Sequence, residues 1–257
     1  MGRFHRHDDG TVHTHDHDDA PHTHEHDHGD HSGYDTGTQR IDVLESIFAE
    51  NDIRAGYNRE AFERNGVRAL NLMSSPGSGK TTILEATLDE LAGEFAVGVI
   101  EGDIATDLDA AKLGGRGAQI SLLNTGNGFG GECHLDAPMV NRALQGLDLG
   151  TLDLVIIENV GNLVCPAEFD VGEHAKAMVY SVTEGDDKPL KYPVMFRAVD
   201  VVLLNKIDLV PYLDVDVDTY IARVREVNPT ATVLPVSART GAGMPAWFGW
   251  LRRFVAG

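Results

Sequence analysis

Cysteine is nearly absent from this sequence, with two in 257 residues. Two isolated thiols make no disulfide framework, and they are expected to stay reduced in a cytoplasmic protein. Long apolar runs are missing as well, and none approaches the ~20 residues a bilayer span requires. The first residues are charged and polar where a secretory signal needs an apolar stretch, so export is not expected. Basic side chains are scarce: 21 Lys and Arg face 40 Asp and Glu, for a formal net charge of -19. That balance argues against the basic face a duplex-binding protein needs. It says nothing against a single nucleotide, whose phosphates backbone amides and one lysine can hold.

What is present is unevenly spread. Ten of the 12 histidines lie in the first 31 residues, beside eight acids and two arginines. The stretch "HRHDDGTVHTHDHDDAPHTHEHDHGDH", residues 5–31, has one valine and no other large aliphatic side chain. It cannot offset the entropy of ordering, so residues 1–37 are expected to form a disordered tail. Imidazole suits nickel, zinc and copper, and carboxylates add oxygen ligands, which makes metal buffering the favoured role. A solubilising tail or an expression tag is the alternative, although a tag would usually be an uninterrupted His run. Residues 38–66 change character. Ile41, Leu44, Ile47 and Phe48 recur at helical spacing with charges between them, which predicts one or two amphipathic helices packed on the core or on a second copy. Residues 67–257 are long enough for one α/β domain.

That domain opens on a phosphate-binding pattern. Leu70–Met73 reads as a short strand and Thr81–Ala92 as a helix, with Ser74-Ser75-Pro76-Gly77-Ser78-Gly79-Lys80-Thr81 between them. Strand, glycine-rich turn and helix are the context a P-loop needs. Gly77, Ser78 and Gly79 would curl backbone amides around the β-phosphate. Lys80 would reach the β- and γ-phosphates, and the Thr81 hydroxyl would bind Mg²⁺, with Thr82 beside it in the same turn. Ser74 stands where the general pattern has glycine.

Further motifs follow in order. "VDVVLLNKIDLV" is an apolar strand leading into Asn205-Lys206-Ile207-Asp208. A carboxylate there can accept from guanine N1 and N2, a donor pair adenine lacks. "VLPVSARTG" ends another strand at Ser237 and Ala238, like the loop that supports guanine O6 in P-loop GTPases. Strand "FAVGVIEGD" leads to Asp103, placed to orient an attacking water or to hold Mg²⁺ through one. "LDLVIIENVGN" is read as a strand ending at Glu158, a Walker B-like acid that could act on Mg²⁺, with Gly161 freeing the next loop to sense the γ-phosphate. Either acid could instead be an ordinary cap or solvent-facing group. Finally, Cys133 and His134 are adjacent in "GGECHLDAPMV". They could be core filler or half of a metal site; a redox pair lacks the C-x-x-C spacing.

"NLMSSPGSGKTTIL", "GECHLDAPMV", "IIENVGNLVCPAEFDVGE", "DKPLKYPVMFRAVDVVLLNKIDL" and the His-rich start together resemble the HypB family, the hydrogenase nickel-incorporation GTPases of the SIMIBI class. The resemblance spans about residues 40–257. It implies an α/β fold, a mostly parallel sheet flanked by helices with the P-loop after its first strand. It also implies a homodimer that hydrolyses GTP and passes nickel, with the metallochaperone HypA, to a hydrogenase large-subunit precursor. The family's G-domain metal site, at the dimer interface, would here be Cys133, His134 and Cys165, holding Ni²⁺ or Zn²⁺. The cysteine-rich N-terminal nickel motif of some members is absent, since no cysteine precedes Cys133. A urease-type accessory GTPase, or a nickel store with a vestigial nucleotide site, are the competing readings.

Overall fold

The computed structural model describes residues 48–102, 113, 115–123, 134–162 and 169–257 in full, and residues 5–6, 12–13 and 36–47 by their backbone alone. Two compact units divide the chain, Met1–Asp42 and Val43–Gly257. In the first, a two-residue antiparallel ladder pairs His5–Arg6 with Val12–His13. Of the rest of the expected disordered tail, Thr36 and Gly37 open a helix and the other residues lie outside the described ones.

The segment read as one or two helices is a single helix, α1, Thr36–Asn65. Among its described side chains the fully covered positions are Asn51, Ala55, Asn58 and Phe62, spaced 4, 3 and 4 apart as one helical stripe requires. Two of these four are asparagines, while the side chains of Ile41, Leu44 and Ile47 lie outside the described residues. Phe48 stays 39% exposed. The helix closes in a Schellman turn: Val67 N–H donates to Phe62 O and Gly66 N–H to Glu63 O, with Gly66 at φ +69° taking the left-handed position that a side chain disfavours.

Seven strands follow: β1 Arg68–Ser74, β2 Val97–Glu101, β3 Gln119–Leu122, β4 Leu154–Gly161, β5 Ala175–Ser181, β6 Val201–Asn205 and β7 Thr232–Pro235. They form one sheet in the order β3-β2-β4-β1-β5-β6-β7, parallel throughout. Parallel strands need covered faces, and β1, β2, β4 and β6 are accordingly almost continuous apolar runs. Helices are α2 Lys80–Leu91, α3 Ala137–Leu144, α4 Lys188–Lys191, α5 Pro193–Arg197, α6 Val217–Val227 and α7 Met244–Ala256.

Alternation along β1 sorts the core. Leu70 and Leu72 face α2 and α7, in a cluster with Ile83, Leu84 and Trp247. Ala69 and Met73 face the other way. There Phe62 and α3 cover one half of the sheet, and α5 and α6 the other. The chain winds to both sides of β1, so the carboxyl ends of β1 and its neighbours open the crevice where open α/β sheets take ligands.

Two boundaries differ from expectation. β2 stops at Glu101, and Asp103 lies outside the described residues. β4 does not end at Glu158 but runs on to Gly161, because its ladder with β1 resumes at Ser74 and Gly161 after an irregularity. Glu158 therefore sits inside a strand, held on both sides.

Candidate nucleotide and metal site

The phosphate loop leaves β1 at Ser74 and enters α2 at Lys80. Gly77 and Gly79 have φ of +73° and +99°, conformations that L side chains rarely adopt. At Gly79 a Cβ would also stand 2.5 Å from Asn205 Nδ2. Ser78 Oγ donates to Ser75 O at 2.9 Å, closing the turn on itself. Below the loop, Glu158 is fully buried. Its Oε1 accepts from Lys80 Nζ at 2.9 Å and from Thr81 Oγ1 at 3.0 Å, while its Oε2 has no hydrogen-bond partner among the described residues. A carboxylate and a hydroxyl converging at the start of a helix form a hard-oxygen set of the kind Mg²⁺ takes. The residues thus fit that ion, and the unpartnered oxygen is the atom a further polar group would satisfy. Lys80, only 4% exposed, is held against Glu158 by this bond.

The base side is equally organised. Asn205 Nδ2 donates to Ser78 O at 2.9 Å, and Asn205 Oδ1 accepts from Ala238 N–H at 3.1 Å. Both ends of this amide are spent inside the protein, so Asn205 ties the phosphate loop to the loop after β7. Lys206 Nζ donates to Gly77 O at 2.6 Å; its φ of +65° is the sole positive value at a non-glycine residue among the described residues. Ser237, fully buried, donates from Oγ to Asp208 Oδ1 at 2.7 Å. That bond fixes the plane of the Asp208 carboxylate, and Arg239 lies 3.8 Å from its other oxygen. Gly79, Thr82, Asn205, Lys206, Asp208, Leu209, Ala238 and Arg239 line a cleft of about 290 Å³. The structure thus brings residues of four sequence motifs, Gly77 to Thr82, Glu158, Asn205 to Asp208, and Ser237 with Ala238, to the carboxyl ends of the strands.

The metal-ligand candidates are only partly in view. Cys133 and Cys165 lie outside the described residues, and among the described residues no three His, Cys, Asp or Glu side chains converge on a cation position. His134 is described. Its ring stacks on Phe169, with centroids 4.2 Å apart, and Phe169 in turn stacks on Phe48 of α1. The chain just after Cys133 is thereby packed against the chain just after Cys165. His174, the remaining histidine, has a structural place: its ring Nδ1 accepts from Ala69 N–H and its backbone N–H donates to Ala69 O. Burial, and Arg68 nearby, hold its pKa below the ordinary value, as the accepting nitrogen requires.

These motifs, on this sheet, are those of a known family. The signature of the CobW/HypB/UreG nucleotide-binding domain matches residues 68–235, and the hydrogenase maturation factor HypB of Azotobacter chroococcum is 52% identical over 84% of this chain and 70% of that protein. The chain belongs to the HypB family. HypB of Archaeoglobus fulgidus superposes with a TM-score of 0.75 at 37% identity, over 80% of this chain and 99% of that one. HypB of Helicobacter pylori, solved in complex with nickel, gives a TM-score of 0.74 at 36% identity, over 80% and 95%. Among the described residues of this family member, no helix is long and apolar enough to cross a membrane.

Sequence reasoning passed over a brace behind the phosphate loop. Ser75 Oγ donates to Glu184 Oε2 at 2.5 Å, and Lys188 Nζ reaches Ser75 Oγ at 2.6 Å and also pairs with Glu184. Lys188 belongs to the "DKPLKYP" stretch that carried the resemblance, which was the available signal. Also missed were Asn71 and Asn159, buried polar residues within apolar strands.

Proposed function

We propose that this chain is a GTP-hydrolysing metallochaperone that assists nickel insertion into a [NiFe]-hydrogenase precursor. The observation that carries the reading is Glu158: one buried carboxylate oxygen collects both Lys80 and Thr81 beneath a preformed phosphate loop. In the proposed mechanism, arriving GTP draws Lys80 off Glu158 onto the β- and γ-phosphates. Backbone amides of Gly77, Ser78 and Gly79 cradle the β-phosphate. Mg²⁺ bound at Thr81 and Glu158 would supply charge neutralisation of the phosphates. Asp208, oriented by Ser237, selects guanine by accepting from N1 and N2; Ala238 supports O6, its N–H shared with Asn205. Asp103 orients the attacking water. No arginine is committed to the γ-phosphate position in this reading, so turnover by the protein alone is expected to be slow.

Nickel is the cargo. Cys133, His134 and Cys165 offer thiolates and an imidazole, a set that suits Ni²⁺ and also Zn²⁺. The nickel named in the Helicobacter pylori complex and the packing of His134 against Phe169 support this assignment. Two copies related by a two-fold axis would complete the coordination. Exposed apolar side chains at Tyr212, Leu213, Leu190, Tyr192 and Val194 support a homodimer, which GTP would tighten. The His-rich tail buffers nickel, HypA exchanges it, and the compartment is the cytoplasm.

The test is a Lys80→Ala replacement in cells that depend on this gene for hydrogenase activity. Hydrogenase activity is expected to fall to background while total cell nickel is unchanged. Retained activity in that strain would favour a storage protein whose nucleotide site is idle.

A further inference from the structure

Glu158 and Asn159 are neighbours in β4, and strand alternation sends them to opposite faces of the sheet. Leu154 and Ile156 pack with α2, while Val155 and Ile157 pack with Phe62 and Leu135. By the same alternation, Glu158 faces the phosphate loop and Asn159 faces the Leu135 side. Asn159 is fully buried, and its bonds orient it without ambiguity. Oδ1 accepts two backbone donors, Leu135 N–H at 3.0 Å and Val160 N–H at 2.9 Å. An amide nitrogen could accept neither, so Nδ2 must point the other way. It donates to Asn71 Oδ1 at 3.3 Å.

The chain of bonds continues across β1 to Glu173, which receives donors from both sides. Asn71, fully buried in β1, donates from Nδ2 to Glu173 Oε1 at 3.3 Å, and Glu173 Oε2 accepts from Val171 N–H at 2.8 Å. Lys176 lies 3.4 Å from Glu173 and balances its charge. The two ends of this relay are informative. Leu135 follows His134 directly. Val171 lies in the segment after Cys165, two residues from the Phe169 ring on which His134 stacks.

We infer that Asn159 is the positioning residue that conveys the state of the nucleotide face to both chain segments bearing the nickel ligands. This rests on the nickel-delivery reading above. When phosphate takes Lys80 from Glu158, any shift of β4 at Glu158 moves Asn159 with it. Leu135 N–H follows through Oδ1, and the Val171 segment follows through Asn71 and Glu173. Buried polar groups cannot trade these partners for water, so the relay moves as a unit or breaks at a cost. Helix α1 holds the same two segments from the outside: Asn51 bonds Ala137 N–H and Asp170 O, and Asn58 bonds Ala137 O and Val171 O. Asn159 supplies their link to the nucleotide side of the sheet.

The experiment titrates the full chain with Ni²⁺ and follows the thiolate-to-nickel charge-transfer absorbance, with GDP and with a non-hydrolysable GTP analogue. The chain has two cysteines and none in its His-rich tail, so the band reports this site alone. The unaltered chain should show nickel affinities that differ between the two nucleotides by roughly five-fold or more. Asn159→Ala should bring that ratio to about one while keeping the band and the GDP affinity, a pattern that general loosening of the fold would not give. Should Asn159→Ala not fold, Asn71→Ala, which cuts only the branch to Val171, must still lower the ratio. An unchanged ratio in a folded variant overturns the relay and leaves the nickel-delivery reading standing. A band with equal affinities in the unaltered chain overturns the relay and the nucleotide switch together. No band at all overturns the assignment of nickel to the cysteines, and the relay with it.

Discussion

At Gly79 the backbone sits at φ +99° with the Asn205 amide where a Cβ would go, so a single hydrogen atom is what lets the phosphate loop and the base loop touch. The same economy holds at Asp208. Its carboxylate is only partly exposed, with one oxygen bonded to Ser237 and the other 3.8 Å from Arg239, and in the proposed mechanism it faces a base edge. Asp208→Asn puts an amide where guanine presents donors. GTP affinity should fall by roughly 100-fold or more. Xanthosine triphosphate, whose base carries a carbonyl at C2, should bind the variant better than GTP does. Competition against a fluorescent GDP analogue measures both. Equal losses for the two nucleotides would mean that Asp208 supports the loop without reading the base.

The elements show how far a sequence can be read. The P-loop, the Asn205–Asp208 run and Ser237–Ala238 were legible as short local patterns, but the bonds that tie them together, Asn205 to Ser78 and Ala238 and Ser237 to Asp208, were not. Helix α1 was legible as a helix, but not by the residues that seat it. Of the predicted apolar stripe only Phe48 has a described side chain, and it is 39% exposed, while Asn51 and Asn58 go inside. An asparagine on a helix looks like a solvent-facing residue, and only the tertiary arrangement brings the backbone groups of Ala137, Asp170 and Val171 to it. The reading of Glu158 as a strand end failed for a related reason: whether β4 continues depends on a partner strand more than 80 residues away in sequence. Asn58 is where this has a measurable consequence. Its amide bonds two buried carbonyls and accepts from Asn141. Asn58→Ala leaves those groups without partners in a dry interior, and the chain should lose about 1–3 kcal/mol of stability. Urea unfolding followed by circular dichroism would show it as a lower midpoint. A loss under about 0.5 kcal/mol, the usual range for surface substitutions, would mean that water reaches this seam.

For the whole molecule, the uneven composition sets two kinds of potential metal donor apart along the chain. Ten histidines and eight acids precede residue 32, and both cysteines lie beyond residue 130. An imidazole-rich segment offers many similar positions of modest affinity, whereas thiolates offer few and strong ones. The second unit, Val43–Gly257, carries the buried core of the sheet, so it should not need the first to fold. Removal of residues 1–35 should therefore strip most of the nickel bound per chain and leave GTP turnover unchanged. The charge-transfer band of the cysteine site should persist at its original intensity. Equilibrium dialysis against Ni²⁺, run beside phosphate release from GTP, separates these quantities. Turnover that falls with the tail would tie the histidines to the nucleotide site. Nickel content that does not fall would leave the tail as a solubilising segment, with delivery resting on Cys133, His134 and Cys165 alone.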